Sequence, residues 1–540
     1  MDQSGLTLIL AAVQTRNGVK VRCERPIGRQ VIRAFFLWRL ALSAAKFPRM
    51  SGLRRCWSRR YFLTSAARAG LASMALPRGV LLGASGAAQA SRSDPGTWQP
   101  LLQPQDIRSE NGVLRATLAA APDQFRLGEV AFDGFLYNGS YLPPLLRPRV
   151  GDTMRITFKN DLLDDPSNLH FHGMAVSPQG HSDNVFIHVH PGHQFDYEVQ
   201  IRAKGRQRPG LFWYHPHAHG FAAKQILGGM SGGLVVDGFD ELFPIVASLP
   251  EQFFLIKHAE PGGDREIISI NGQLNPVVKI RPGEMQFWRI ANIGATLFIK
   301  FKIEGMPLYI LAIDGHPRSR PDRATEFFIG PGQRIDAIAI GPQPGEYAMG
   351  TISFQNQAWK KPDPSQLLAT ILCDGPEAQA QARAQAQAET ELLNQRVATV
   401  RWFDDVRSTP IAHRRTLVYS RTPDRRVFMI NGRVMDENRV DQTVKLGDTE
   451  EWTVINTDQQ YHSFHIHQTG FLVSEVNGIR QHEDSLRDTY SMLPATVDGP
   501  SVLKVVIPFT DPVIVGRFVY HCHAVDHEDK GMMGVIEVTP

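Results

Sequence analysis

From residue 97 onward the chain is a succession of short apolar runs broken by Gly and Pro. Along Met154, Ile156 and Phe158, and again along Trp452 and Val454, apolar residues alternate with polar ones. That is the period of a half-buried strand with one face on a core. Three strands open alike, with a Gly-acid pair that leads to an Asn nine residues after its Gly: Gly151-Asp152 to Asn160, Gly283-Glu284 to Asn292, and Gly447-Asp448 to Asn456. An Asn-Gly pair precedes each of them, at Asn138-Gly139, Asn271-Gly272 and Asn431-Gly432. Each unit closes on another strand, Leu234-Val235-Val236, Thr370-Ile371-Leu372 or Val535-Ile536-Glu537-Val538. One unit is therefore repeated three times, and frequent Gly and Pro favour β-sandwiches over helical layers. The expected units span 97–240, 245–376 and 398–540. The Ala/Gln-rich segment 377–397 reads as a helical or flexible surface linker without an apolar stripe.

The repeat also locates the chemistry. Near the end of each unit a Gly is followed five residues later by a key position. Gly210 leads to His215-Pro216-His217, Gly345 to Gly350-Thr351-Ile352, and Gly516 to His521-Cys522-His523. Two more His pairs, His170-Phe171-His172 and His465-Ile466-His467, stand in units one and three, with His462 just upstream of the latter. Counting His527, ten of the 19 histidines lie in these clusters. In an extended segment both imidazoles of a His-X-His face one way and the middle residue faces the other. Cys522 can thus hold one metal while its neighbours reach a different one. Two His, one Cys and a weak axial Met form the ligand set of a blue copper electron-transfer site; structural zinc wants only four ligands. Unit one has Pro216 where unit three has the thiol, and unit two has lost every ligand in this register. Unit two is therefore expected to be a metal-free spacer that positions its neighbours and lines a substrate cleft.

Together His-Phe-His-Gly, Trp-Tyr-His-Pro-His, His-X-X-His-X-His and His-Cys-His with its downstream His and Met closely resemble the motifs of the multicopper oxidases, the family of laccases and their bacterial three-domain relatives. The resemblance covers roughly residues 97–540 and implies an all-β fold of three cupredoxin-like Greek-key β-sandwich domains. It implies a type 1 copper on Cys522, His462, His527 and axial Met532, with Met533 the alternative axial residue. His170 and His465 would bind a type 2 copper; His172, His215, His217, His467, His521 and His523 would bind a type 3 pair. A small reducing substrate would give single electrons through the exposed edge of His462, and O2 would be reduced to water. Asp183 and Glu528 match acidic positions that family members use in proton delivery. Phenols and aromatic amines are the default donors. No Met-rich run is present, which weighs against a cuprous or other metal-ion oxidase serving metal tolerance. Acids in the loop His482–Asp488 could serve a metal-ion substrate, although solvated charges are the preferred explanation. A copper-binding or structural cupredoxin without turnover is the alternative from another class. His188, His190, His193 and His219 match no family ligand and are expected to serve surface or hydrogen-bonding roles.

Charge changes the picture at one end only. The net charge of +4 is concentrated toward the N-terminus and gives no ground for nucleic-acid binding. Ser58-Arg59-Arg60-Tyr61-Phe62-Leu63 resembles a twin-arginine export signal, followed by an Ala/Gly/Leu-rich stretch and a small-residue cleavage site at Ala88-Gln89-Ala90. A signal over 50–90 and a periplasmic location follow. Residues 1–49 would be an over-long start assignment, because Met50 stands where such a signal begins. Phe35-Phe36-Leu37-Trp38, interrupted by Arg39, is too short to span a membrane. No span is expected in the mature chain, and a monomer is expected. Of four cysteines only Cys373 and Cys522 lie beyond the leader, so copper on Cys522 leaves no intramolecular disulfide.

Overall fold

The structure, a computed structural model, describes residues 12–15, 18–21, 98–203, 207–260, 266–375, 387, 389–394 and 406–540. Within Met1–Ala88, strands Ala12–Thr15 and Gly18–Val21 pair antiparallel. The rest of the proposed extension and signal lies outside the described residues, as does most of the Ala/Gln-rich segment. Where that segment is described, Leu392 is buried with Phe239, Phe287 and Tyr309, so its end docks on the middle domain.

Strands account for 51% of the described residues and helix for 8%, and the described residues beyond 97 form three cupredoxin-like β-sandwiches. The first pairs a four-stranded sheet (Val113–Leu127, Val130–Tyr137, Thr153–Asn160, His193–Gln200) with a five-stranded one that includes His170–His172, Gly210–His215 and Gly232–Val236. The second and third each pair a six-stranded with a five-stranded sheet. In the third, the five-stranded sheet carries His462–Ile466 beside Gly516–Cys522 and Met533–Thr539. Three separate cores fill the sandwiches, around Ile156 and Phe158, around Trp288 and Ile290, and around Trp452 and Val454. All six of these residues are at most 1% exposed, as the alternation along their strands requires.

The repeat has a common physical basis. Asn138, Asn271 and Asn431 have φ of 53°, 51° and 53°, and the glycine after each is also positive. An Asn-Gly pair suits a tight turn of that hand. At the end of the Gly-acid strands, Asn160, Asn292 and Asn456 are each fully buried and act identically. Each side-chain amide donates to two loop carbonyls and its oxygen accepts the backbone N–H two residues on. The asparagine thereby fastens the loop leaving its strand, and in units one and three that loop leads to the first histidines. Asn292→Ala strands three buried backbone groups and is expected to cost about 2–4 kcal/mol, read by denaturant unfolding.

Candidate metal centre

Cross-strand register brings the histidines together. His170 pairs with His215 across one strand pair, and His465 pairs with His521 across the other. Phe171 and Cys522, the middle residues of two His-X-His segments, turn inward to the first and third cores. Period-two geometry therefore divides these side chains into an inward group, in the third core, and an outward group, where the facing sheets of the first and third domains meet.

The inward group is a triangle in the third core. His462 Nδ1 lies 3.4 Å and His527 Nδ1 3.6 Å from Cys522 Sγ, and the two nitrogens are 3.2 Å apart. Met532 is fully buried in the same core, and its carbonyl accepts from Cys522 N. Phe428 stacks on His527 at 4.1 Å. Burial pushes the Cys522 thiol up to about 12 and the His527 imidazole down to about 3. A thiophilic cation must therefore displace the thiol proton. The expected exposed edge of His462 is not found. His462 is 0% exposed and lies beneath Asp458, 3.4 Å from its Nε2. Arg421 in turn bonds Asp458 and stacks on Trp359. His527, at 7%, holds what exposure the triangle has.

The outward group is eight imidazoles, His170, His172, His215, His217, His465, His467, His521 and His523, none more than 2% exposed. Their arrangement is that of metal ligands. His170 Nδ1 is bonded to Asp183, His215 Nδ1 to the Pro216 carbonyl and His465 Nδ1 to the Asp488 carbonyl, while the Nε2 atoms of all three have no protein partner. Elsewhere ring nitrogens face each other: His217 Nε2 and His467 Nε2 stand 3.3 and 3.1 Å from His521 Nε2, and His523 Nε2 stands 3.1 Å from His172 Nδ1. Buried nitrogens converging without partners are unfavourable unless a cation lies among them. Neutral imidazoles suit copper, so the donor sets fit that metal at both centres.

Two carboxylates support this cluster. Asp183 is 1% exposed; it holds His170 Nδ1 at 3.0 Å and accepts from Phe171 N and Gln468 Nε2. Glu528, wholly buried, reaches His521 Nδ1 at 2.9 Å and His217 Nδ1 at 3.5 Å. Burial pushes both carboxyls up to about 7. Sequence reasoning missed three further residues. Asp488, Thr489 and Arg334 meet at His172. The acids of His482–Asp488 are each paired, Glu483 with Arg487, Asp484 with Arg318 and Asp488 with Arg334, and of the three Asp488 is buried. His188 bonds Glu437 and His193 bonds the Pro191 carbonyl, both apart from the cluster.

This burial has a consequence for the metal-free protein. Burial lowers His217 to about 4 and His521 and His527 to about 3, from an ordinary 6.5. In that window the unfolded chain binds protons that the folded chain does not. Stability is thus intact above 6.5 and lost as pH falls, by about 1.4 kcal/mol per pH unit for each group. Chemical denaturation of apo-protein should show this steep acid limb below 6.5, and copper loading should move the midpoint to lower pH.

Family models described as multicopper oxidase match residues 123–240, 234–371 and 408–540. A multicopper oxidase of Staphylococcus aureus is 24% identical over 469 residues, covering 82% of this chain and 92% of its own. The cell division protein FtsP of Escherichia coli is 23% identical over 84% of this chain and 96% of its own. Among solved structures, a multicopper oxidase from Campylobacter jejuni, described as a metallo-oxidase, superposes with a TM-score of 0.68 at 23% identity, covering 83% of this chain and 97% of that one.

Proposed function

The chain belongs to the multicopper oxidase family, copper oxidoreductases that use O2 and a reducing substrate, and from that premise we propose a laccase-like enzyme that oxidises phenols or aromatic amines one electron at a time. His462, Cys522, His527 and Met532 would hold a type 1 copper, His170 and His465 a type 2 copper, and His172, His215, His217, His467, His521 and His523 a type 3 pair. Copper at these sites supplies the one-electron steps between donor and O2. The observation that carries the reading is Cys522, whose Sγ lies in the buried triangle while the flanking His521 and His523 stand in the eight-imidazole cluster. This is a covalent link between the two centres. Asp183 orients His170, and Glu528 holds a proton at a carboxyl oxygen beside His521 Nδ1. Burial excludes bulk water from both.

The donor approaches His527, since Asp458, Arg421 and Trp359 cover His462. A second reading, oxidation of a metal ion, has specific support: Asp458 and Asp526 stand 3.4 and 3.6 Å from the outer nitrogens of His462 and His527. The relative described as a metallo-oxidase adds to it. Against the alternative of a copper-binding or structural protein without turnover stands the complete ligand set. We take 97–240, 245–376 and 398–540 as the domains and the chain as an exported periplasmic monomer, on the twin-arginine and cleavage-site sequences. Among the described residues no helix is long and apolar enough to cross a membrane. Oxygen consumption by copper-loaded protein, compared across phenols, aromatic amines, Cu(I), Fe(II) and Mn(II), separates these readings. Highest kcat/KM on a phenol or aromatic amine supports the first and on a metal ion the second. Absence of turnover with every donor removes the enzyme.

A further inference from the structure

None of the eight imidazoles comes from the middle domain, yet that domain reaches the cluster at two points. At Gly332 (φ 87°) the backbone passes so close that a Cβ would lie 3.1 Å from His172 Cε1 and 3.2 Å from His523 Cε1. Two residues later, the fully buried Arg334 gives Asp488 a two-pronged bond, 2.8 Å to Oδ1 and 2.7 Å to Oδ2. Asp488 Oδ1 lies 3.2 Å from His172 Nε2 and also accepts from Thr489 Oγ1 at 2.7 Å. His172, Arg334 and Asp488 thus bring three domains to one point. Gly173, at φ 84°, leaves room for it, because a Cβ there would stand 2.3 Å from Arg334 Nη2 and 2.6 Å from Asp488 Oδ2.

We propose that Asp488, clamped by Arg334, is a positioning residue that fixes the tautomer of His172 and so determines which of its nitrogens faces the metal. An ionised carboxylate only accepts hydrogen bonds. Its partner His172 must carry its proton on Nε2, which leaves the Nδ1 lone pair free, and Nδ1 is the atom 3.1 Å from His523 Nε2. The pattern is inverted at His170, His215 and His465, where an oxygen acceptor takes Nδ1–H and Nε2 is left unpartnered. Asp488 serves both patterns, with its carboxylate on His172 and its carbonyl on His465 Nδ1. The middle domain is therefore more than a spacer, because its arginine holds the residue that sets two ligands.

This inference rests on the copper reading above, and the test separates the two. Copper content, visible absorption and paramagnetic resonance are measured on full-length wild type, Asp488→Asn and the double variant Arg334→Gln/Asp488→Asn, which removes the charge at both ends of the clamp. An Asn amide can turn its NH2 to His172 Nε2 and put the proton on Nδ1, against the metal. Both variants are expected to keep the blue type 1 signal but bind cluster copper about 10–100-fold more weakly, with resonance signal appearing from an uncoupled copper. A double variant with wild-type copper affinity and a silent, coupled pair overturns the proposal. So does a lower apo melting temperature with unchanged cluster copper, which is what a purely structural ion pair would give. If Asp488→Asn does not fold, the double variant decides. Wild type that takes up no copper defeats the copper reading instead.

Discussion

Cys522→Ser is expected to abolish the blue absorption and reduce turnover to background, while the fold and the copper of the eight-imidazole cluster remain. The reason is the geometry on either side of one α-carbon. The Cys522 side chain completes the triangle with His462 and His527, and it is the one thiol in that core, where the other sulfurs are the thioethers of Met492 and Met532. A serine hydroxyl is nearly the same size, so the sandwich stays packed. Its cost is that of burying a hydroxyl among apolar groups, about 1–3 kcal/mol. The backbone N–H of Ser463, which now points at Sγ, is a ready donor to it. His521 and His523 face away from the substitution and keep their partners. Visible absorption and copper analysis on the same sample check both halves of the statement. Blue colour in the serine protein would show that the triangle is not the type 1 site.

Glu528→Gln is expected to lower kcat about 100-fold with copper content unchanged and a solvent isotope effect larger than in wild type. Glu528 touches two cluster imidazoles, His521 and His217, from the third domain's final helix, Val525–Asp529. Reduction of O2 to water consumes protons, and burial keeps this carboxyl able to hold one near neutral pH, as its position at about 7 indicates. Glutamine preserves shape and polarity but cannot give up a proton. Asp183→Asn forms the contrast. Asp183 holds His170 and a backbone N–H, so its loss should show first in copper retention. If Glu528→Gln turns over at the wild-type rate, the proton enters by another route.

The grouping of the histidines into one cluster was legible in the sequence because strand geometry is local. His-X-His in an extended segment commits its imidazoles to one face, whatever surrounds it. The threefold Asn was visible for the same reason, since its role is confined to the loop it ends. What stayed hidden is what depends on contacts between distant segments. Arg334 lies in a strand with no ligand, and its partner Asp488 sits 154 residues away in a loop that reads as solvated charge. The covering of His462 likewise depends on Arg421 and Trp359 meeting in space, and nothing in the spacing around His462 announces it.

The eight imidazoles are drawn from the first and third sandwiches, and that separation makes a bound metal a crosslink. His172 and His523 are 351 positions apart. Cys373 and Cys522 are both free, so among the described residues no disulfide closes any such loop. A metal ion gripping both histidines removes the same unfolded-chain entropy that a disulfide of that span would, about 6 kcal/mol on the loop-closure relation. Separation of the first and third sandwiches and release of the metal then become one event. The exchange rate of cluster copper would accordingly report how often the two outer sandwiches part.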